Sequence, residues 1–137
     1  MRHRDPPAYR SNDVAFARGL GMLSIGLGLI DLFGRRGVAR NTGLPNEPLI
    51  ALVGLREVAT GLGLVLARDP MPWVWGRVGG DAMDIGALAM GVSSRNPQRQ
   101  GAVVGLLLVA ALTAVDVALA GRLHVTAEDQ ATRPLLA

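Results

Sequence analysis

At 137 residues the chain has room for one domain, and half of its residues are hydrophobic. It has no cysteine, which excludes disulfides, thiolate metal sites and a Cys nucleophile; its two histidines, His3 and His124, sit near the chain ends and supply no multi-histidine or haem site. All 14 basic residues are arginine and the pI is about 10.9, but they are scattered, with no basic stripe and no interleaved aromatics. This distribution argues against nucleic acid as a partner and fits anchoring at lipid headgroups.

A mean hydropathy of +0.32 and 18 glycines suit a membrane protein better than a soluble core. Residues 1–13, polar and Pro-containing, read as an N-terminal tail rather than a signal peptide, since no short apolar core with a small-residue cleavage site follows the basic start. A first span is expected at about residues 14–33, near the 20 residues a bilayer requires. Gly19, Gly21, Ser24, Gly26 and Gly28 give it a small-residue flank for close helix packing, and Asp31 lies near its far end. Residues 34–47 then read as a loop, in which Arg35, Arg36 and Arg40 fit one interfacial helical turn.

A second span is expected at about residues 48–67, with Arg56 and Glu57 near its midpoint. Adjacent helix positions point about 100° apart, so these two are expected to face different neighbours rather than pair. The turn Arg68-Asp69-Pro70-Met71-Pro72 ends one helix and starts the next. The third span, about residues 73–92, opens with Trp73 and Trp75 as interface anchors and carries Arg77, Asp81 and Asp84. Those three fall at i, i+4 and i+7, a single helix face. A polar turn at residues 93–100 leads to a fourth span at about 101–121, with Gly101 and Gly105, then Ala110, Ala114 and Ala118, as packing seams and Asp116 off-centre. Residues 122–137 read as a C-terminal tail.

The expected fold is therefore all-α: a four-transmembrane-helix bundle with antiparallel neighbours, its spans filling residues 14–121. Uniformly apolar spans of this length exclude a transmembrane barrel. Both tails fall on one side with seven arginines, against five on the other, which leans the tails toward the cytoplasm in a multi-pass protein of the cell's inner (cytoplasmic) membrane. The small-residue seams suit a homo-oligomer, with a dimer as the default.

A charge at mid-bilayer costs at least about 2.5–3.5 kcal/mol, so the charged face of the third span is expected to look into the protein. At 1.5 Å per residue, Arg56, Glu57, Asp81 and Asp84 fall close to one depth, Arg77 and Asp116 roughly 7–8 Å toward the tail side, and Asp31 about 11 Å the other way, near water. Arg77 is expected to pair with Asp81 and share Asp116, and Arg56 to reach Asp84 or Asp81 across helices. Two arginines then meet four carboxylates even with Asp31 set aside. Surplus buried carboxylates take up protons, hold a cation or reach water.

Three functions follow. A protonated carboxyl beside an ionised one is an acid–base pair, suiting an isomerase, cyclase or epoxide-opening enzyme on a lipophilic small molecule. In that reading Glu57, Asp81 and Asp84 are the candidate catalytic groups, and Arg56, Arg77 and Asp116 bind or orient the ligand. A non-catalytic membrane subunit uses the same charges to fix assembly. A proton or cation path uses them as relays. No cofactor or metal is expected; oxygen ligands alone would select Mg²⁺ or Ca²⁺.

Three segments, RGLGMLSIGLGLIDLF at 18–33, ALVGLREVATGLGLVL at 51–66 and PWVWGRVGGDAMDIGAL at 72–88, resemble a group of small bacterial four-span membrane proteins. Those also occur as the N-terminal membrane region of cyclase/dehydrase proteins, ahead of a START-like soluble domain. The resemblance covers about residues 18–91, and the positions of Arg56, Glu57, Arg77, Asp81 and Asp84 belong to its recurring pattern; Asp31 stands where Glu is more usual. It implies the four-span fold and the charged core. An activity residing in the soluble domain is not carried over, although pairing with a lipid-cavity domain favours a hydrophobic ligand by analogy.

Overall fold

The computed structural model describes residues 7–44 and 46–132, so the first six residues of the expected N-terminal tail and the last five of the C-terminal one lie outside the described residues. Four helices make up the fold: α1 (Ser11–Thr42), α2 (Glu47–Leu66), α3 (Met71–Gly91) and α4 (Arg99–Thr132). Three of them, α1, α2 and α4, are long and apolar enough to cross a membrane, with mean hydropathies of 1.5, 1.9 and 2.5 over their most apolar windows. The remaining helix, α3, has 21 residues and carries Arg77, Asp81 and Asp84.

Two helices outrun their expected bounds. Residues 34–42, read from sequence as loop, continue α1 until Gly43, whose left-handed backbone (φ 68°) lets its N–H reach the Ala39 carbonyl and close the helix. Residues 122–132, read as tail, continue α4. At 32 and 34 residues these helices are about 48 and 51 Å long, well beyond a hydrocarbon core of about 30 Å. The starts of α2 and α3 follow the sequence closely. Asn46 caps α2 by accepting from the Leu49 N–H, with Pro48 in the first turn, and Pro72 opens α3.

Packing divides the molecule into two helix pairs. The closest pair is α1 with α2, then α3 with α4; the backbones of α1 and α4, and of α2 and α3, approach each other over shorter stretches, and those of α2 and α4 stay apart among the described residues. Glycine explains the first pairing. A Cβ on Gly21 would stand 2.8 Å from the Gly61 carbonyl, and one on Gly28 would stand 2.5 Å from the Gly54 carbonyl. Such backbone contact is possible only where both faces lack side chains.

The distribution of side chains is inverted relative to a water-soluble protein. Phe33, Leu66, Met90, Leu107 and Leu108 are exposed, whereas the largest fully buried side chain is Arg77. Toward the tails an apolar layer of Ala17, Leu20, Leu64, Val74, Leu119, Ala120 and Leu123 fills the centre, with Tyr9 and Met71 packed on it. Toward the opposite end, Asn96 donates to the carbonyls of Thr42 (2.9 Å) and Gly91 (2.7 Å), latching the ends of α1 and α3 together. Between these layers lie the charges.

Candidate functional site: a charged network joining the two helix pairs

Glu57 is the centre of the network. It is buried on α2, one turn from Gly54 and Gly61, where the glycine seam brings α1 against it. Its Oε1 accepts from Arg56 Nη2 (2.8 Å), and its Oε2 accepts from Arg77 Nη1 (3.1 Å) and from the Ser24 hydroxyl of α1 (2.5 Å). Arg77 of α3 then donates through Nε to Asp116 Oδ2 of α4 (2.9 Å), and Arg56 donates through Nη2 to Asp84 Oδ2 of α3 (2.7 Å). The chain of pairs runs Asp84, Arg56, Glu57, Arg77, Asp116. With Ser24 it touches all four helices.

The structure thus brings together all six site residues read from sequence; Arg56 meets Asp84 and Arg77 meets Asp116 as expected, and the other pairs differ. Arg56 and Glu57, expected to face apart, pair at 2.8 Å. The arginine stem is long enough to return its head across the roughly 100° between adjacent positions, and the guanidinium lies flat against Gly80 of α3, where any Cβ would collide with it. Arg77 does not take Asp81 as its ion-pair partner among the described residues; it reaches across to Glu57 and Asp116 instead. Asp81 meets the Thr113 hydroxyl of α4 at 3.2 Å. Asp31, set aside as interfacial from sequence, is half-buried beside Gly54 and within electrostatic reach of Asp84, Glu57 and Arg56.

Three contributors were not identified as site residues from sequence: Ser24, Thr113 and Gly80. Ser24 and Thr113 are single hydroxyls inside apolar helices, with nothing local to separate a network donor from a packing residue. Gly80 did carry a signal, since it lies three residues beyond Arg77 and one before Asp81, beside the charged face.

Exposure is graded across the network. The Arg77 and Asp116 side chains are 1% and 0% exposed, whereas those of Arg56 and Asp84 are 21% and 16% exposed on the α2–α3 flank. Among the described residues two buried side-chain polar atoms have no hydrogen-bond partner, Arg56 Nε and Asp116 Oδ1. One oxygen from each of Glu57, Asp81 and Asp84 falls within 4.8 Å of the others, a spacing that would admit a cation. Glu57 and Asp84 already hold guanidinium groups there, and those would repel one.

Two open grooves of about 710 and 570 Å³ lie at the ends of the molecule, one lined by Asp13, Ala118 and Arg122, the other by Arg36, Arg40 and Glu47. No network residue lines either groove. No family model matches the chain, and neither the curated proteins nor the solved structures contain a significant match.

Proposed function

We propose that the chain is an integral protein of the cytoplasmic membrane in which all four helices cross, sequential neighbours antiparallel, and that its charged core receives the polar end of a lipophilic small molecule. The antiparallel arrangement is supported by the α1–α2 contacts, where Gly21 meets Gly61 and, further along, Gly28 meets Gly54. Support for α3 as a span is its length of about 31 Å and the burial of Arg77 (1%) and Asp81 (4%) within the protein. The resemblance to small four-span bacterial membrane proteins belongs to the same proposal.

One observation carries the ligand reading: Arg56 and Asp84 stay partly open on the flank between α2 and α3. An ion pair facing hydrocarbon at mid-depth is costly, so the species that covers it brings polar atoms of its own. A lipophilic molecule with one oxygen-bearing end, arriving sideways from the bilayer, meets that requirement. Arg56 would hold the oxygen, and Glu57, Asp81 and Asp84 would be the groups able to take or give a proton in an acid–base turnover. A second reading, a non-catalytic assembly role, is favoured by the way Glu57 ties the helix pairs together; there a second copy of the chain would cover the Arg56–Asp84 flank.

Native mass spectrometry of the detergent-extracted protein separates these. The ligand reading expects a stoichiometric lipophilic adduct that is lost in Arg56→Gln and Asp84→Asn while the folded mass persists. A clean mass in a defined oligomer, dispersed by the same substitutions, would replace it with the assembly reading.

A further inference from the structure

At the sealed end of the network, the hydrogen bonds are short by one donor. Asp116 is fully buried on α4; its Oδ2 is held by Arg77, and its Oδ1 has no partner. Asp81, 4% exposed on α3, lies against it, and their carboxyls are near enough to interact directly. Among the described residues Asp81 meets the hydroxyl of Thr113, which is 3.2 Å from Asp81 Oδ2 but 2.7 Å from the carbonyl of Val109. A hydroxyl has a single hydrogen. The shorter, helix-internal contact takes it, and Asp81 is left facing an oxygen that can only accept. Two buried carboxylates then confront each other across the α3–α4 seam with neither a donor nor a dedicated cation between them.

The surrounding charges do not repair this. Glu57 and the Arg56 beside it face the pair from α2, Arg77 and Asp84 from α3, and Thr113 from α4, while α1 offers Ser24 and the half-buried Asp31. The two guanidiniums are spoken for by Glu57, Asp84 and Asp116. Four carboxylates against two arginines leave a surplus of two negative charges in a region shielded from water. Unpaired buried charge of that kind is eliminated by binding a proton far more cheaply than it is tolerated.

We propose that Asp81 and Asp116 hold one proton between them, making the α3–α4 seam a proton-binding site inside the helices. The proton supplies the missing donor: carried on Asp81, it reaches Asp116 Oδ1 or the Thr113 oxygen; carried on Asp116, it points at Asp81. Arg77, fixed on the other Asp116 oxygen, keeps the two carboxyls facing. The site is built from Asp81, Asp116 and Thr113 rather than from the Arg56–Asp84 pair, so it is proposed whatever covers that flank; the two communicate only through Glu57.

Infrared spectroscopy of the full chain in lipid bilayers at neutral pH tests this. The expected result is a carbonyl stretch of a protonated carboxylic acid, sensitive to deuterium exchange, that is lost or displaced in both Asp81→Asn and Asp116→Asn and retained in Asp84→Asn and Asp31→Asn. Each amide can donate the hydrogen bond that the proton made, so both variants are expected to fold. Should either fail to fold, labelling the aspartate carboxyls of the wild-type chain with ¹³C assigns the band to Asp or Glu. No protonated-carboxyl band, a band that the aspartate label does not shift, or one that sodium or magnesium suppresses would overturn the proposal; the last result would replace the proton by a bound cation.

Discussion

Replacing Gly28 by alanine should loosen the α1–α2 pair on which the charged centre rests. A Cβ at this position would stand 2.5 Å from the Gly54 carbonyl oxygen and 2.9 Å from both Glu57 Cβ and Val58 Cγ2. Ordinary contact begins near 3.4 Å, so α1 must retreat by about 0.9 Å, the difference between 3.4 and 2.5. The obstacle is main chain, and no change of rotamer relieves it. A gap of that size forfeits about a quarter to a half of the dispersion energy of each contact it opens. Overpacking of this kind costs about 1–3 kcal/mol, offset by up to about 1 kcal/mol because alanine is the better helix former. Gly26→Ala, two residues away, is the control: nothing lies within 4 Å of its Cβ, and the change should be neutral or stabilising by up to about 1 kcal/mol. Reversible unfolding in mixed micelles, followed by circular dichroism, gives both values. Equal stability of the two variants would refute the glycine seam. The same retreat would also stretch the 2.5 Å contact between Ser24 and Glu57, which lies between the two points of backbone contact.

Arg77→Gln is expected to cost about 3–5 kcal/mol in the same unfolding measurement, because it strands Glu57 and Asp116 in a sealed site; Arg56→Gln should cost less, its side chain being 21% exposed. Equal losses would contradict the exposure gradient. Burial, reinforced by the hydrogen bond to Asp69, raises the Tyr9 phenol above its usual value near 10. The folded chain then holds that proton more tightly than the unfolded one, so the contribution is complete below about pH 10 and declines as pH rises beyond it. Tyr9→Phe should abolish this alkaline decline, and an unchanged profile would show that the contact carries no linkage. Gly63→Ala should displace the Trp73 indole, which occupies the space a Cβ would need; its fluorescence emission, read in a Trp75→Phe background, should shift while that of Gly79→Ala does not.

The existence of α1, α2 and α4 was legible because apolar runs near 20 residues leave few alternatives, but the ends of α1 and α4 were not. Gly34, Gly37 and three arginines make residues 34–42 look like a loop, yet helical glycine costs only about 1 kcal/mol and Val38 and Ala39 fit a helix as well as a turn. What stops the helix is the backbone freedom of Gly43, at a place where several glycines looked equally able to do so. The charged core was legible as a set, since Arg77, Asp81 and Asp84 share a face and hydrocarbon forbids them to look outward. Its pairing was legible only in part: Arg56 with Asp84 and Arg77 with Asp116 were expected and are found, whereas Arg77 with Asp81 is not. Whether Arg77 meets Asp81 on its own helix or Asp116 on the next depends on the rotation of α3 against α4, and that is fixed by side chains distant in sequence, such as Val74 and Leu119 in the apolar layer. The adjacent pair Arg56–Glu57 escaped because the rule for neighbouring helix positions describes Cβ directions, whereas a guanidinium at the end of a long flexible stem can turn back over Gly80.

The two ends of the network are tied by the one residue that serves both. Glu57 gives one oxygen to Arg56 and the other to Arg77, so neither arginine can change its partner without altering the charge left for the other. A polar group that binds Arg56 on the open flank draws that guanidinium away from Glu57, and Glu57 then leans more fully on Arg77. Arg77 in turn has less to offer Asp116, whose free oxygen already lacks a donor. A proton held between Asp81 and Asp116, as proposed, would be bound more firmly as a result. Coupling between sites is reciprocal, so protonation of the sealed pair must favour occupancy of the flank by the same factor. On the proposed ligand reading, the gradient from sealed to open is the path by which a polar group arriving from the bilayer would reach Arg56. On the assembly reading a second copy of the chain would close the open end, and this coupling would then link its docking to the proton.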